Sequence, residues 1–512
     1  MRMMHVLAEE WRLGVLMLLS VYIAYKLYIY NRLRHLKGPF GVGFTNFLQG
    51  RQLCGIGSFS WYEDVAEKHG PISRIGPNIL LVSDPQIWAR VTSRAGYRKP
   101  NWWYRSARIV YGQDSVFTET NTEKHEHRRR QAAPGYYGKT NYQLEQSIDA
   151  NISKLIDLVR SKYLSTTGQV IPMDAAEKIH FLTLDISSIL GLGRSFGMLS
   201  ANKDMYNYGE NTEKGLLTAA AFMALGLGWI PRVPIIGPLI VPKAGEPRGF
   251  GLVLAAVFEI VDERLSLPKE KQVAGPDMLS NWISQGLSYE NLRTESANQI
   301  IAGADTTAST LRSVLLHIMT NPCVYKKLQA EIDETVSSEK LSPVSGSEVI
   351  AFSVARKLPY LQAVIKEVMR VWPIAVSFTP RVTPAQGDTF IVDGKPVRIP
   401  GGVDIGIGIQ AILHNKDIFG HDAKFFRPER WLEQSDEKRL ELMTKTSDLV
   451  WGQGTWQCLG KQVVYIEMSK TIFELFRHFD WALLKPSEAP WRVTSPFGLC
   501  FINDMWVQVT SR

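Results

Sequence analysis

A single thiol in a glycine-rich segment is the strongest chemical signal in this chain. Cys458 lies in the sequence from Trp451 to Gly460, which contains three glycines and precedes a helical pattern from Lys461 to Phe476. Glycines permit a tight loop whose backbone can approach a flat ligand. The N-terminus of the following helix directs free N–H groups and partial positive charge at the sulfur. Both features favour a thiolate, so the segment predicts a thiolate ligand to a metal.

The number of neighbouring ligands limits the kind of metal. Cys458 has no nearby second cysteine or paired histidine in the sequence, whereas zinc and iron–sulfur sites need about four protein ligands. Haem iron fits this pattern better because its macrocycle supplies the other donors. The alternative is a buried structural cysteine in a glycine-rich turn. Three other segments bear on the choice.

The first of these segments is an unusual helix. The pattern from Ser288 to Thr320 predicts a long helix with Ser288 as its N-cap. Its middle carries Asp305 and Thr306 in an otherwise apolar stretch, a composition that weakens helical hydrogen bonding. Small residues there would admit a flat ligand, and a threonine hydroxyl bonded to the preceding turn can open the helix locally. A helix-packing site with a solvated aspartate is the alternative.

The second signal is a predicted ion cluster. Pro359 begins a helical pattern that stops before Pro373, and within it Glu367 and Arg370 are three residues apart. A later loop rich in aromatic residues and proline supplies Arg430. A glutamate between two arginines would satisfy a buried carboxylate and fix this loop beneath a cofactor. The alternative is an ordinary surface ion pair.

The third signal is the basic run from residue 125 to residue 130. His125 and Arg129 are one helical turn apart, so both side chains can reach one edge of a ligand. The two carboxylates of haem require basic partners of this kind. An exposed basic helix face is the common alternative for such a run.

Length, charge and cysteine usage define the class of protein. The 512 residues carry a net charge of +8 with dispersed lysine and arginine, so nucleic-acid binding is not expected. The four cysteines are far apart, as is typical of a reducing compartment. No low-complexity linker or repeat divides the sequence. One large globular unit with an N-terminal appendage is therefore expected.

The N-terminal appendage has the composition of a membrane anchor. Residues 13–30 are apolar apart from Lys26, about the length that crosses a bilayer core of roughly 30 Å. The basic residues that follow predict a cytoplasmic C-terminal side. We expect an uncleaved anchor at residues 1–31, a basic and Gly/Pro hinge at 32–45, and a catalytic domain at 46–512. The apolar segment 235–241 predicts either a second membrane contact or core packing.

In combination and in this order, these motifs resemble those of the cytochrome P450 family. The matching segments are the basic helix, Ala302-Gly303-Ala304-Asp305-Thr306, Glu367-x-x-Arg370, Phe426-Arg427-Pro428-Glu429-Arg430-Trp431 and Gly454-x-x-x-Cys458-x-Gly460. The resemblance covers nearly all of the chain after the anchor. Segments 134–139 and 456–461 are similar to those of fungal microsomal members like pisatin demethylase. The implied fold is mainly α, the P450 fold with a small β-rich region, preceded by a transmembrane helix.

The resemblance also implies roles for individual residues. Thr306 and Asp305 would deliver protons, and Glu367, Arg370 and Arg430 would form a structural triad. The implied cofactor is haem b, with Cys458 as its metal ligand. The implied cofactor-binding residues are Cys458, His125, Arg129, Arg381, Gly454 and Gly460. The implied pocket residues are Trp102, Trp103, Ile301, Ala302, Ile374, Val376 and Phe497.

Two tryptophans depart from the family pattern. The family usually has Phe at the position of Trp451 and Arg or His at the position of Trp456. Thiolate ligation survives both changes. Trp456 cannot form a charge-assisted bond to a haem carboxylate, although its indole N–H can donate a neutral one.

The function implied is that of a monooxygenase in the endoplasmic reticulum membrane, with its catalytic domain on the cytoplasmic side. It would insert one atom of O2 into an apolar or amphipathic small molecule by hydroxylation, epoxidation or oxidative demethylation, in fungal secondary metabolism or detoxification. The expected partners are a separate NADPH–cytochrome P450 reductase and, as a second donor, cytochrome b5. The alternatives are a related isomerase or dehydratase that needs no reductase, and a non-catalytic haem sensor.

Overall fold

The helices dominate the architecture, as the mainly α class predicts. The computed structural model describes residues 2–55, 58–137, 141, 143–224, 226–339, 349–376, 378–488 and 491–512. The first eleven α-helices are α1 (Arg2–Arg32), α2 (Phe47–Cys54), α3 (Ser58–His69), α4 (Pro85–Ser93), α5 (Asn101–Tyr104), α6 (Thr122–Ala132), α7 (Leu144–Lys162), α8 (Ala175–Leu192), α9 (Met198–Ala201), α10 (Tyr208–Ala224) and α11 (Gly237–Ile240). The later ones are α12 (Gly251–Ser266), α13 (Lys269–Gln272), α14 (Met278–Ser284), α15 (Tyr289–Met319), α16 (Pro322–Ser338), α17 (Phe352–Ala355), α18 (Pro359–Val371), α19 (Ile409–Leu413), α20 (Lys416–Phe419), α21 (Glu437–Ser447) and α22 (Lys461–His478).

Short strands form small sheets beside this helical body. The strands are β1 (Ile72–Gly76), β2 (Ile79–Val82), β3 (Met173–Asp174), β4 (Arg381–Val382), β5 (Asp388–Val392), β6 (Lys395–Ile399), β7 (Asp404–Ile407), β8 (Phe479–Leu483), β9 (Arg492–Thr494), β10 (Phe501–Asn503) and β11 (Trp506–Ser511). A mixed sheet has the order β1-β2-β7-β4, in which β2 and β7 are parallel. The other groups are β3-β11-β8, the hairpin β5-β6 and the pair β9-β10. The mixed sheet positions Arg381 through β4.

The largest hydrophobic core surrounds α15. Leu182 and Leu184 on α8 pack in this core with Ile300, Ala304 and Leu311 on α15, all at most 1 % exposed. Helices α7, α12, α14, α16, α18 and α22 also contribute buried residues to this cluster. The expected helix from 288 to 320 is confirmed, since Ser288 Oγ accepts the first cap hydrogen bond from the backbone N–H of Asn291 at 3.3 Å. α15 is continuous through residues 302–307, so no local opening is seen there.

The N-terminal helix ends against the globular body. An apolar stretch from Leu13 to Arg32, with mean hydropathy 1.7 and no buried residues in its most apolar window, is compatible with a membrane anchor. The buried guanidinium of Arg74 donates to the carbonyls of Ile29 at 3.3 Å and Tyr30 at 3.1 Å. Leu33 is fully buried directly after the helix. Two carbonyls in the last turn of α1 therefore accept hydrogen bonds from the body.

The segment 235–241 lies at the surface. It contains α11, and the side chains of Ile235 and Leu239 are 82 % and 71 % exposed. The core-packing interpretation of this segment is therefore wrong for these two side chains. An exposed apolar loop of this kind is a candidate contact for a membrane or protein.

Candidate active site

The loop before α22 holds Cys458 by backbone bonds. The Cys458 N–H donates to Trp451 O at 2.7 Å. Gly452 between them has φ of +72°, and a Cβ there would lie 2.8 Å from Trp456 O, so a side chain at this position would collide with backbone. Glycine is thus required where the chain turns back toward Cys458. The fold explains the spacing of glycine and cysteine in the sequence.

The sulfur of Cys458 faces an internal cavity of about 660 Å³. Cys458 retains accessible surface and is among the residues that line this cavity. Burial raises the pKa of the Cys458 thiol, while N–H groups of Gly460 and Lys461 and the charge of Arg129 lower it. The N–H groups at the start of α22 lower this pKa as expected, but burial raises it by more in the protein alone. Coordination to a metal is what would fix the thiolate.

The cavity wall formed by α15 carries the predicted acid and hydroxyl. Thr306 Oγ1 donates to Ala302 O at 2.8 Å, and both residues line the cavity. The expected bond from threonine to the preceding turn is therefore confirmed. Thr307 is 1 % exposed, and its hydroxyl has no hydrogen-bond partner among the described residues. The same cavity thus presents one thiol and the hydroxyl of Thr306.

Asp305 is buried and held from two sides. Its carboxylate accepts from His180 Nε2 at 3.0 Å and from Tyr208 Oη at 3.1 Å. Burial, and next the charge of Asp305, raise the pKa of Tyr208 well above its ordinary value, so Tyr208 remains a donor. The His180 side chain is 14 % exposed. The interpretation of Asp305 as a solvated residue is therefore wrong.

One edge of the cavity is lined by basic groups. His125 and Arg129 on α6, Arg381 on β4 and Lys99 all face the cavity. Within the described residues, none of the four forms an ion pair, and His125 Nδ1 and Arg381 Nε have no hydrogen-bond partner. Buried cations without anions are costly. This edge has the charge to bind an anionic ligand.

Burial and mutual repulsion shift the pKa values along this edge. Burial, followed by the charge of Arg381, lowers the pKa of Lys99 well below its ordinary value. Burial, followed by the charges of Lys99 and Arg129, lowers the pKa of His125 to about 3. His125 is therefore neutral at physiological pH in the protein alone. A bound anion would oppose these shifts because it favours the protonated forms.

Trp456 lies against three of these basic groups. Its ring centroid is 4.4 Å from that of His125, 4.7 Å from Lys99 Nζ and 4.6 Å from Arg381 Cζ. The ring face attracts both cations. The tryptophan therefore keeps the cationic edge together at a position where the family pattern has a basic residue.

The predicted triad is completely buried and closely bonded. Glu367 accepts from Arg370 at 2.8 and 2.9 Å and from Arg430 Nε at 3.1 Å. Trp431 Nε1 donates to the same carboxylate at 2.9 Å, and Arg430 also pairs with Asp422 at 2.7 Å. Glu367 and Arg370 are 0 % exposed. The surface-pair alternative is therefore wrong.

The predicted pocket residues divide into two groups. Those that line the cavity are Trp103, Ile301, Ala302, Ile374 and Phe497. Phe497 has φ of +58°, a strained conformation for an aromatic residue at a cavity wall. Trp102 and Val376 are not among the lining residues, since Trp102 Nε1 instead donates to Asp404 at 2.8 Å and Val376 packs in the core beside the mixed sheet.

The glycines of the cysteine loop divide in the same way. Of the two glycines expected to contact the cofactor, Gly460 lines the cavity and Gly454 does not. Gly452 is the second glycine of this loop that lines the cavity. Segment 134–139 is similar in sequence to that of members like pisatin demethylase. The structure describes this segment only as far as Tyr137.

Comparison with known proteins agrees with this arrangement. The family model for cytochrome P450 matches residues 38–501. The chain is 35 % identical to Cytochrome P450 monooxygenase ABA1 of Pyricularia oryzae, over 99 % of this chain and 98 % of that protein. It is 32 % identical to Cytochrome P450 monooxygenase aba1 of Botryotinia fuckeliana, over 93 % and 92 % of the two chains. Pisatin demethylase of Fusarium vanettenii is 27 % identical, over 88 % and 85 %.

Proposed function

We propose that this chain, which belongs to the cytochrome P450 family and is a monooxygenase with a haem-thiolate cofactor, oxygenates an apolar or amphipathic small molecule in fungal secondary metabolism or detoxification. The observation that carries this proposal is one cavity lined by Cys458 on one wall, Thr306 on another and uncompensated cations along an edge. We propose haem b as the cofactor. The enzyme would insert the oxygen atom by hydroxylation, epoxidation or oxidative demethylation.

The donor set of the cavity fits haem b. Cys458 supplies a single sulfur ligand, and Lys99, His125, Arg129 and Arg381 supply donors for two carboxylates. The unpartnered His125 Nδ1 and Arg381 Nε are the kind of atoms that such carboxylates would satisfy. When bound through a thiolate, haem supplies O2 activation, because the thiolate promotes cleavage of the O–O bond. Glu367 holds the loop that contains Arg430 and acts on the fold rather than on the reaction.

The residues of α15 would control protons. The hydroxyl proton of Thr306 is bonded to Ala302 O, so its oxygen lone pairs remain available to accept from a water in the cavity. Asp305 is oriented by His180 and Tyr208. His180 is partly exposed and would connect the carboxylate with solvent. We assign proton delivery to Thr306 and Asp305, with His180 as a positioning residue.

Membrane attachment and electron supply complete the proposal. The apolar helix α1 would anchor the chain as a single pass in the endoplasmic reticulum membrane, with the globular domain, residues 46–512, on the cytoplasmic side. The exposed Ile235 and Leu239 would contact the same membrane surface. NADPH–cytochrome P450 reductase would supply electrons, with cytochrome b5 as a second donor.

Isotope labelling distinguishes this function from the alternatives. The purified protein is incubated with reductase, NADPH and a lipophilic metabolite extract under heavy-isotope O2, and products are analysed by mass spectrometry. A monooxygenase yields a product with one labelled oxygen that appears only when NADPH is present. Product formation without NADPH would indicate the isomerase or dehydratase, and unchanged extract with no NADPH consumption would indicate a sensor.

Replacement of Thr306 tests the proton assignment. Thr306→Ala removes the hydroxyl and keeps a helix-compatible side chain. We expect NADPH consumption to continue while labelled product falls about 10²-fold or more and hydrogen peroxide rises. Thr306→Ser is the matched control and should retain most of the product. Wild-type coupling in Thr306→Ala would overturn the assignment and transfer it to Thr307 or to the substrate itself.

A further inference from the structure

A buried asparagine on the cavity wall has an amide nitrogen without a partner. Asn298 on α15 is 8 % exposed and lines the cavity, as do Ala302 and Thr306 on the same helix. Its Oδ1 accepts from Ser115 Oγ at 3.1 Å. Its Nδ2 bonds to none of the described residues and retains accessible surface. Because the residue lines the cavity, this nitrogen is available to a ligand there.

A turn fixes the orientation of this amide. Ser115 Oγ accepts from the Thr118 N–H at 3.4 Å, so the Ser115 hydroxyl proton is left for Asn298 Oδ1. The Ser115 N–H donates to Thr118 Oγ1 at 2.9 Å. The Val116 N–H donates to Glu295 Oε1 at 2.7 Å, one helical turn before Asn298 on α15. With its oxygen bonded to a hydroxyl donor, the amide offers the cavity two donors.

Asn298 shares a face of α15 with the catalytic wall. Residues 298, 302 and 306 are four apart, so they follow one another along one side of the helix. The rise of about 1.5 Å per residue separates positions 298 and 306 by roughly 12 Å along the helix axis. The cavity lining also includes Ile301 and Phe117, which are apolar. An elongated apolar ligand can therefore reach both Asn298 and Thr306.

The free amide nitrogen selects an acceptor oxygen. An amide N–H donates and cannot accept, so a carbonyl oxygen, which has lone pairs and no proton, is its simplest partner. A hydroxyl would bring a proton for which Asn298 has no free acceptor on this side. A carboxylate would place a second acid one helical turn from Glu295, and neighbouring like charges are unfavourable. In a largely apolar cavity, one such polar contact orients the ligand.

We propose that the substrate is an apolar molecule with a carbonyl group remote from the oxidised carbon, and that Asn298 Nδ2 donates a hydrogen bond to this carbonyl oxygen. This inference rests on the proposed function because it names the substrate class of the same cavity. Asn298 is then a specificity-determining residue, and Ser115 is a positioning residue that orients its amide. The hydrogen bond determines which part of the apolar body faces Thr306.

Matched ketones and methylene analogues test the inference on the full-length holoprotein. The probes are 2-dodecanone, 5α-androstan-3-one and 1-acetylpyrene, each with the analogue in which a CH2 group replaces the carbonyl oxygen. Binding is measured by the shift of the haem Soret band and, for the pyrene pair, by fluorescence. The variants are Asn298→Leu, Ser115→Ala and, as a control on α10 outside the cavity lining, Asn211→Leu. The readout is the ketone-to-analogue affinity ratio of each variant relative to wild type.

For at least one scaffold, we expect Asn298→Leu to lower this ratio about three- to tenfold, the effect of one neutral hydrogen bond. Affinity for the analogue should stay close to that of wild type. Ser115→Ala frees the amide to turn and should lower the ratio by less, while Asn211→Leu should leave it unchanged.

The inference is overturned if no ketone binds, or if the ratio in Asn298→Leu equals that of wild type for every scaffold. Equal weakening of ketone and analogue would also overturn it, because that result indicates a role of Asn298 in the fold alone. The isotope-labelled product of the wild type is measured separately. Failure of this inference is thereby distinguished from failure of the proposed function.

Discussion

Two buried charge clusters in this protein differ in whether they contain their own anions. The triad around Glu367 joins Arg370 and Arg430 to a carboxylate, and Asp422 adds a second acid. The basic edge, formed by Lys99, His125, Arg129 and Arg381, has no ion-paired acid among the described residues. The first cluster is complete within the chain, whereas the second depends on a ligand.

This difference separates stability from function. Removal of an anion from a compensated cluster leaves buried charges unpaired and destabilises the fold. Removal of a cation from an uncompensated cluster relieves repulsion in the protein alone and weakens ligand binding. Substitutions in the two clusters should therefore have opposite effects on the free energy of unfolding without haem.

The largest effect is expected at the triad. Glu367→Ala leaves Arg370 and Arg430 buried without their shared anion, a loss of about 3–5 kcal/mol in unfolding free energy. We expect most of the protein to lack haem, as measured by the haem-to-protein ratio, with a lowered Tm by circular dichroism. The control Glu433→Gln alters an exposed pair with Arg427 and should change stability by less than about 1 kcal/mol. Full haem content and normal turnover in Glu367→Ala would contradict the structural role.

At the basic edge, we expect a smaller change in the unfolding free energy of the haem-free protein, with the opposite sign. Lys99→Met keeps the length of the side chain and removes a buried cation whose pKa is lowered by burial. Haem should dissociate about 10- to 100-fold faster, the equivalent of one charged hydrogen bond of about 1.5–3 kcal/mol. The haem-free protein should unfold at equal or higher denaturant concentration. If Lys99→Met destabilised the haem-free protein as much as Glu367→Ala, the contrast between the clusters would be wrong.

The triad and the cysteine loop could be predicted from the sequence because the residues that define them lie close together in the chain. Glu367 and Arg370 are three residues apart on one helix, and Gly452 and Cys458 belong to one loop. A fixed local geometry then restricts the residue types that fit. The same holds for the cap of α15 at Ser288.

Other site residues could not be predicted because their partners are remote in the chain. His180 meets Asp305 across 125 residues, and neither residue type nor spacing indicates the pair. Lys99 lies just before Pro100, with no periodic pattern that marks it as a cavity residue. The resemblance places Trp102 in the pocket, but the fold turns its indole toward Asp404. Orientation about a short helix such as α5 depends on packing, which sequence composition does not specify.

A pH effect is also expected at the basic edge. The pKa of His125 is about 3 in the protein alone and about 6.5 when exposed, so the unfolded chain binds more protons between these values. Stability of the haem-free protein should therefore fall as pH decreases from about 6.5 toward 3. Bound haem carboxylates raise this pKa and reduce the slope. Urea unfolding at several pH values, with and without haem, measures the difference, and His125→Gln should flatten the haem-free curve. An equal slope in both forms would contradict an anion at this edge.

We infer that Cys458 is the thiolate ligand of haem in this cavity, and a carbon monoxide difference spectrum identifies this ligand. Reduced wild-type protein with carbon monoxide should show the strongly red-shifted Soret band that thiolate ligation produces. Cys458→Ala should lose this band, while Cys500→Ala, which removes a buried cysteine outside the cavity lining, should retain it. A histidine-type spectrum from intact wild type, or a red-shifted band that persists in Cys458→Ala, would show that Cys458 is not the ligand.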